Sequence, residues 1–324
     1  MSQECVTIPA RRDRFGIKNY RVLPKVRDSW SYIYVEHARI DQEAKGICVH
    51  DAAGRVYIPC AALSLLMLGP GTTVTHAAVR TMAETGCLVA WCGEQGVRFY
   101  AQGLGETRSA ANLLQQARYC VDKDLRLYVV RKMYAMRFAE ELPEDLTLKQ
   151  IRGKEGARVR KAYAEASAKY GVEWEGRKFD RSDWDKSDPI NKALSAANAC
   201  LYGVCHAAIV AAGYSPALGF IHTGKMLSFV YDIADIYKTE IVIPAAFSET
   251  AKGRKNLESR VRHRCRDLFT EQRLLARIVE DLASLFDIEI DSNNTSSFDL
   301  ETSLPGAIWD PEGVVVGGKN YDEG

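Results

Sequence analysis

Residues 219–238 read GFIHTGKMLSFVYDIADIYK. The first half is a glycine-bounded loop that exposes a lone histidine, His222. The second half is an amphipathic pattern that predicts a helix, with Ser228 as its N-cap. On that helix Asp232 and Asp235 are three residues apart and Lys238 three further on, so all three share one face. Phe229, Val230, Ile233 and Ile236 fall on the other face, toward a core. Two acids and a lysine beside a loop histidine are costly unless the charges are solvated or hold a metal. The stretch reads as half of a divalent-metal site for phosphodiester chemistry, whose other half lies upstream. Taken singly, His222 is a satisfied loop histidine and the two aspartates are a solvated helix face.

Outward from this stretch the chain is helical in both directions. Upstream, long helical patterns cover Ala110–Phe138 and Leu146–Tyr170, the second with an interruption at Gly153 and Gly156. A polar aromatic loop, Gly176 to Asp188, precedes the Ala-rich helix Asn191–Ala212. Downstream, two further patterns cover Pro244–Lys252 and Leu257–Phe286. Before Gly103 the character is different. Tyr32–Val35, Ile47–His50, Val56–Pro59, Leu63–Leu68, Cys87–Cys92 and Val97–Ala101 read as short strands, with a hairpin turn at Asp51–Gly54. A single helix, capped by Thr75 and stopped by Gly86, runs through Glu84. The expected fold is therefore α+β. A small β-rich N-terminal domain over 1–102 meets a hinge at 103–107, a larger all-α domain over 108–289, and a flexible acidic tail over 290–324.

Charge is segregated although the net charge is only +1. Residues 287–324 hold nine acids and one base, so that segment carries −8 and the remainder +9. A basic body suits a polyanionic partner, and an acidic tail suits docking on a basic protein surface. The tail's apolar residues Ile308, Trp309 and Val314–Val316 suit addition to a partner's sheet edge, and disorder is expected without that partner. No apolar run follows the basic segment Arg11–Lys18, which places the chain in the cytoplasm with no membrane span. Nine cysteines lie without a CxxC pair and read as reduced core thiols. No GxxxxGKS/T loop supports nucleotide hydrolysis.

Three groups of residues carry chemistry. Glu155 is flanked by Gly153 and Gly156 and surrounded by Arg152, Lys154, Arg158 and Arg160, which suits phosphate contacts; an exposed glutamate in helical ion pairs is the plainer alternative. The two glycines cost roughly 1 kcal/mol each relative to alanine, which suggests that something approaches this backbone closely. One Glu, one His and one or two Asp form an oxygen and nitrogen ligand set suited to Mg²⁺ or Mn²⁺. Basic residues interleaved with aromatics form the third group: Arg177, Lys178, Phe179, Arg181 and Trp184 in one loop, a dense run from Lys252 to Arg266, and Arg80 and Arg98 in the β-rich part. Cations that track a backbone, with aromatics that stack, suit DNA binding without much base reading.

The runs VTHAAVR, GVRFYA, LRLYVVRKMY, IRGKEGARVR, SAANACLYGV, GFIHTGKMLSFVYDIADIYK and RCRDLF resemble the CRISPR adaptation integrase, the universal first CRISPR-associated protein, and most of all its type I-E branch. The similarity spans roughly residues 30–286 in order and spacing. It implies a β-rich domain that mediates homodimerisation and a helical catalytic domain. It also implies a 4:2 complex with a small second adaptation protein, which captures double-stranded DNA with single-stranded 3′ ends and inserts it at the CRISPR leader-repeat. Glu155, His222 and Asp235 stand where the family has its metal-binding triad, with Asp232 as an acid beside it. Tyr202 and Lys238 stand near the reacting phosphate. Arg80, Arg98 and Arg262 match backbone contacts, and Lys225 matches a lysine implicated in reading the protospacer-adjacent motif. His37 replaces the family's fork-splitting tyrosine, and Phe179 a tyrosine of the 176–184 loop. The implied reaction is transesterification, a 3′-hydroxyl attacking a phosphodiester. A stand-alone metal-dependent nuclease on branched DNA and a non-catalytic DNA-end scaffold are the alternatives.

Overall fold

The runs LLML at Leu65–Leu68 and LVAWC at Leu88–Cys92 are apolar at consecutive positions, the pattern of strands covered on both faces. The structure, a computed structural model, describes residues 32–60, 63, 65–94, 99–103, 110–138, 140–143, 145–177, 188–286, 308–311 and 313–315. It shows what covers them. Strand β1 (Tyr32–Val35) pairs in parallel with β5 (Leu65–Leu68), and β5 in parallel with β7 (Leu88–Cys92). An antiparallel edge strand, β8 (Phe99–Gly103), completes the order β1-β5-β7-β8. A second sheet has the order β4-β3-β2-β6, from β2 (Arg39–Glu43), β3 (Gly46–Asp51), β4 (Gly54–Pro59) and β6 (Thr73–Val74). Helix α1 (His76–Glu84) is the crossover between β5 and β7, and Thr75 caps it by accepting from the amide of Ala78.

Side-chain alternation divides the first sheet between two cores. Val35, Leu66, Leu68 and Val89 pack with Ile40, Ile47 and Val49 of the second sheet and with Ala78 and Met82 of α1. Leu65, Met67, Leu88, Ala90 and Cys92 turn the other way and join the core of the helices. The helical core therefore runs directly onto the sheet, where His206 stacks on Phe99 of β8 with ring centroids 3.9 Å apart.

The helices are α2 (Ala111–Val121), α3 (Lys123–Ala135), α4 (Leu148–Tyr170), α5 (Pro189–Ala211), α6 (Ser228–Tyr237), α7 (Ile243–Ala251), α8 (Leu257–Glu271) and α9 (Leu274–Leu285). At their centre lies α5, 15 of whose 23 residues are buried. It is long and apolar enough to cross a membrane, but it is the core about which the other helices pack. The α+β class and the order of its parts are as expected from the sequence.

Several local expectations change. The pattern Ala110–Phe138 is two helices, because Asp122 takes an extended conformation and its carboxylate accepts from the amides of Asp124 and Leu125, capping a new helix. Leu257–Phe286 likewise breaks where Arg273 adopts a left-handed conformation, φ 49°. Helix α4 runs unbroken through Gly153 and Gly156. Ser228 is not the N-cap of α6: Leu227 holds that position, and the Ser228 hydroxyl accepts from the amide of Lys225. Strand β2 escapes notice in the sequence because only Ile40 of its five residues is buried. In the tail, for which the sequence suggests disorder or addition to a partner's sheet, Ile308–Asp310 (β9) and Gly313–Val315 (β10) pair antiparallel with each other. Residues 1–28, the 104–107 part of the hinge and the remainder of the tail lie outside the described residues.

Candidate active site

Helices α4 and α6 supply the two carboxylates. Thr147 and Gln150 form a capping box that starts α4 and sets the phase in which Glu155 turns inward. Helix α6 buries Phe229, Val230, Ile233 and Ile236, as its pattern requires, and runs into one π-helical turn, Lys238–Val242. Such turns insert an extra residue and re-aim neighbouring side chains. Here Lys238 Nζ reaches back to Asp235 Oδ1 at 2.6 Å, and Thr239 Oγ1 accepts from Arg158 Nη1 at 2.7 Å.

The group that joins the two carboxylates is Arg137, just past α3 and buried. Its Nη1 lies 3.5 Å from Glu155 Oε1 and 3.7 Å from Asp235 Oδ2. Glu155 also receives a two-pronged contact from Arg158, through Nε at 2.8 Å and Nη2 at 3.0 Å. Arg158 is among the cations that the sequence places around Glu155, but Arg137 is not. Arg137 follows an ordinary helical pattern, and no local signal marks it. Lys238 stands 5.2 Å over the ring of Tyr202, which packs edge-on against Tyr231. Burial pulls the Lys238 ammonium toward a lower pKa, but Asp235 and Tyr202 outweigh it and the net shift is upward.

Asp232 and Asp235 diverge. Asp232 is fully buried and accepts from the amides of Phe220 (2.6 Å), Ile221 (3.0 Å) and His222 (2.8 Å). It also bonds His222 Nδ1 at 2.7 Å. It is neither a solvated helix-face acid nor a group facing Asp235; its charge is matched by four polar hydrogens, which removes the cost of burial. That hydrogen bond holds the His222 imidazole above its ordinary pKa against the opposing effect of burial. His222 itself is exposed and edge-on to Tyr231 at 6.0 Å.

A divalent cation fits these donors in chemical type. Glu155 and Asp235 offer hard oxygens, and His222 has one ring nitrogen on a buried carboxylate, the usual support of a metal-ligating imidazole. The expected triad is present as donors but not assembled: among the described residues no three His, Cys, Asp or Glu side chains form one metal-holding group. Arg137, Arg158 and Lys238 pair with the two carboxylates.

Comparison with known proteins decides the family. The model of the family described as CRISPR associated protein Cas1 matches residues 31–140 and 134–263. The chain belongs to the Cas1 family. It is 54% identical over 304 residues to the CRISPR-associated endonuclease Cas1 2 of Thermus thermophilus, covering 94% of each chain. It is 44% identical over 289 residues to the CRISPR-associated endonuclease Cas1 of Escherichia coli K12, covering 88% of this chain and 95% of that one. It superposes on the crystal structure of a TtCas1–DNA complex with a TM-score of 0.75 at 57% identity, covering 82% of this chain and 99% of that one.

The expected DNA contacts of this Cas1-family chain are dispersed. Arg80 is on α1, largely exposed and 3.8 Å from Glu84. His37 has a left-handed backbone, φ 50°, and donates its amide to Pro70 O at 2.9 Å. Lys225 is exposed in the loop after His222. Arg262 lies 3.9 Å from Glu258 and lines a cleft with Lys192, Arg254 and Asn256. Arg98 and Phe179 lie outside the described residues, as do Lys178, Arg181 and Trp184. Several cations of the basic groups are committed within the chain: Arg177 to Asn191 and Ser195 on α5, Arg260 to Glu249 and the carbonyls of 249 and 253, Lys252 to Glu249, and Arg266 to Asp267.

Proposed function

We propose that the chain is a metal-dependent DNA integrase of the type I-E branch. It joins the 3′-hydroxyl of a captured DNA end to a phosphodiester at a CRISPR repeat boundary. One observation carries the proposal: Glu155 and Asp235, from two helices, converge on Arg137 with Lys238, Tyr202 and the Asp232-supported His222 around them. Membership of a family with relatives named CRISPR-associated endonucleases, and a similar chain crystallised with DNA, support the phosphodiester substrate.

Glu155, Asp235 and His222 Nε2 would hold Mg²⁺ or Mn²⁺. A cation held there lowers the pKa of an attacking hydroxyl and offsets charge on the phosphoryl oxygens. The chain's own groups do the rest. Lys238, protonated at neutral pH, neutralises the phosphate, and Tyr202 beneath it fixes the ammonium. Arg137 stands between the two acids, and Arg158 holds Glu155 from a second side. Arg80, Arg98, Lys225 and Arg262, with His37 and Phe179, contact the DNA backbone and its ends. The working assembly is a homodimer that joins a small second adaptation protein in a 4:2 complex in the cytoplasm, with the acidic 290–324 tail docking on that partner.

The test is strand transfer of a labelled duplex with 3′-hydroxyl ends into a supercoiled plasmid bearing a repeat, in Mg²⁺, Mn²⁺ or EDTA, with and without the small partner. Joined product that needs both metal and partner is expected. The relatives' naming as endonucleases favours a second reading, cleavage with water in place of the 3′-hydroxyl. Metal-dependent cleavage without joining, indifferent to the partner, would replace integration with that reading.

A further inference from the structure

The loop that carries His222 is suspended between two opposite charges. On one side stands Asp232, accepting from the amides of Phe220, Ile221 and His222 and bonding His222 Nδ1. On the other stands Arg126 of α3. Its Nε and Nη2 donate to Phe220 O at 3.1 and 2.9 Å, and Nη2 donates also to Gly219 O at 3.2 Å. Its Nη1 reaches Cys120 O at 3.4 Å, tying the guanidinium to the end of α2.

These contacts fall on the same peptide units. The carbonyl of Gly219 and the amide of Phe220 belong to one peptide group, and the carbonyl of Phe220 and the amide of Ile221 to the next. A trans peptide is planar, with its C=O and N–H pointing to opposite sides. Fixing both carbonyls on Arg126 therefore fixes both amides toward Asp232. Behind the loop, Gln116 is fully buried and holds Ser215 and Leu218 through three hydrogen bonds, so the preceding residues are anchored to α2 independently. Arg126, with the Cys120 thiol as a second donor to Gly219 O at 3.6 Å, is left to orient the Gly219–Phe220 and Phe220–Ile221 peptide planes, one peptide short of His222.

We propose that Arg126 is the positioning residue for His222, orienting the Gly219–Ile221 peptides so that Asp232 holds Nδ1 and Nε2 is left for the ligand; the inference rests on reading His222 as a cation ligand. The forked guanidinium is what the task needs, since it serves two successive carbonyls from one rigid plane. A lysine carries the charge without that fork.

The test compares Arg126→Met and Arg126→Lys in the full chain by amide hydrogen exchange and by Mn²⁺ binding. In Arg126→Met, protection of the 220–222 amides should fall while α5 keeps its protection, and Mn²⁺ affinity should fall by about ten- to a hundredfold, the usual cost of removing a group that orients a ligand. Arg126→Lys should lie between it and the parent on both measures. Adding Arg126→Met to His222→Ala should cause no further loss of affinity, because Arg126 acts through His222. Unchanged protection at 220–222, or an equal loss of affinity in the His222→Ala background, would overturn the proposal. If the parent protein takes up no Mn²⁺, it is the reading of the metal site that fails, and exchange at 220–222 by itself decides whether Arg126 orders the loop. If Arg126→Met does not fold, seen as lost protection in α5, the lysine variant decides on the same measures.

Discussion

Arg137 Nη1 lies 3.5 Å from Glu155 Oε1, joining the end of α3 to the middle of α4 through a contact almost closed to solvent. Because the same nitrogen lies 3.7 Å from Asp235, one guanidinium stands between the two acids from which phosphodiester chemistry would be run. Its charge is what allows two carboxylates to converge in a poorly solvated place.

Removing that charge should be costly. Arg137→Met leaves two partly buried carboxylates without their shared partner, and breaking a fully buried pair costs about 3–5 kcal/mol. Arg158 and Lys238 remain, so the expected loss is toward the lower end. Urea denaturation in EDTA measures it, and Arg137→Lys should recover part. A loss below about 1 kcal/mol, the scale of a surface pair, would show that the pairing is not supporting the fold.

Alanine at Glu155 or at Asp235 should abolish metal-dependent cleavage and strand transfer while DNA affinity, read by gel shift, stays within a few fold of the parent. Retained strand transfer in either variant, with normal DNA binding, would remove that acid from the chemistry.

Stability should fall in mild acid through His206. Burial lowers its pKa from 6.5 to about 4, so the folded chain keeps it neutral where the unfolded chain takes up a proton. A depressed histidine contributes fully above pH 6.5 and loses that contribution as pH falls toward 4. The change is on the order of 2 kcal/mol once partial exposure is allowed for. His206→Phe keeps the stack on Phe99 and removes the proton site. Its stability curve should be flatter than the parent's between pH 6.5 and 4; parallel curves would exclude the histidine as the cause.

Two glycines should respond in opposite ways to alanine. A Cβ on Gly219 would stand 2.3 Å from His222 O and 2.7 Å from Ser228 Cβ, so Gly219→Ala must push the His222 loop away from the start of α6. A Cβ on Gly153 meets nothing within 4 Å, and Gly153→Ala should stabilise α4. The gain is about 1 kcal/mol, the difference in helix propensity. Thermal melts of the two variants check both signs. A destabilised Gly153→Ala would mean that α4 needs the glycine for its own geometry.

Much of this chain was legible as sequence because its signals are local. Short apolar runs bounded by turn residues marked most of the strands, Thr75 marked the start of α1, and the 3.6-residue pattern of Ser228–Tyr237 named the buried face of α6 correctly. The breaks at Asp122 and Arg273 were not legible. An aspartate inside a helical run is ordinary until its carboxylate turns back on the next turn's amides, and arginine is not a residue that announces a left-handed backbone. The spacing of Asp232 and Asp235 correctly put them on one helix, but spacing cannot say what each will meet.

The sequence by itself determined the α+β order of parts, the acids and histidine of the candidate site, and a resemblance of which comparison then showed the Cas1 family. The resemblance separates Asp235 from Asp232, but only the tertiary structure decided what each of them meets. Asp232 turned to the amides of the His222 loop, while Asp235 turned to Lys238 and Arg137. Only the tertiary structure, too, brought Arg137, Arg126 and Glu155 into relation with α6. The physical reason is that helix phase and capping are written in neighbouring residues. Electrostatic partnership across helices depends on how those helices pack, and no spacing in the chain records it.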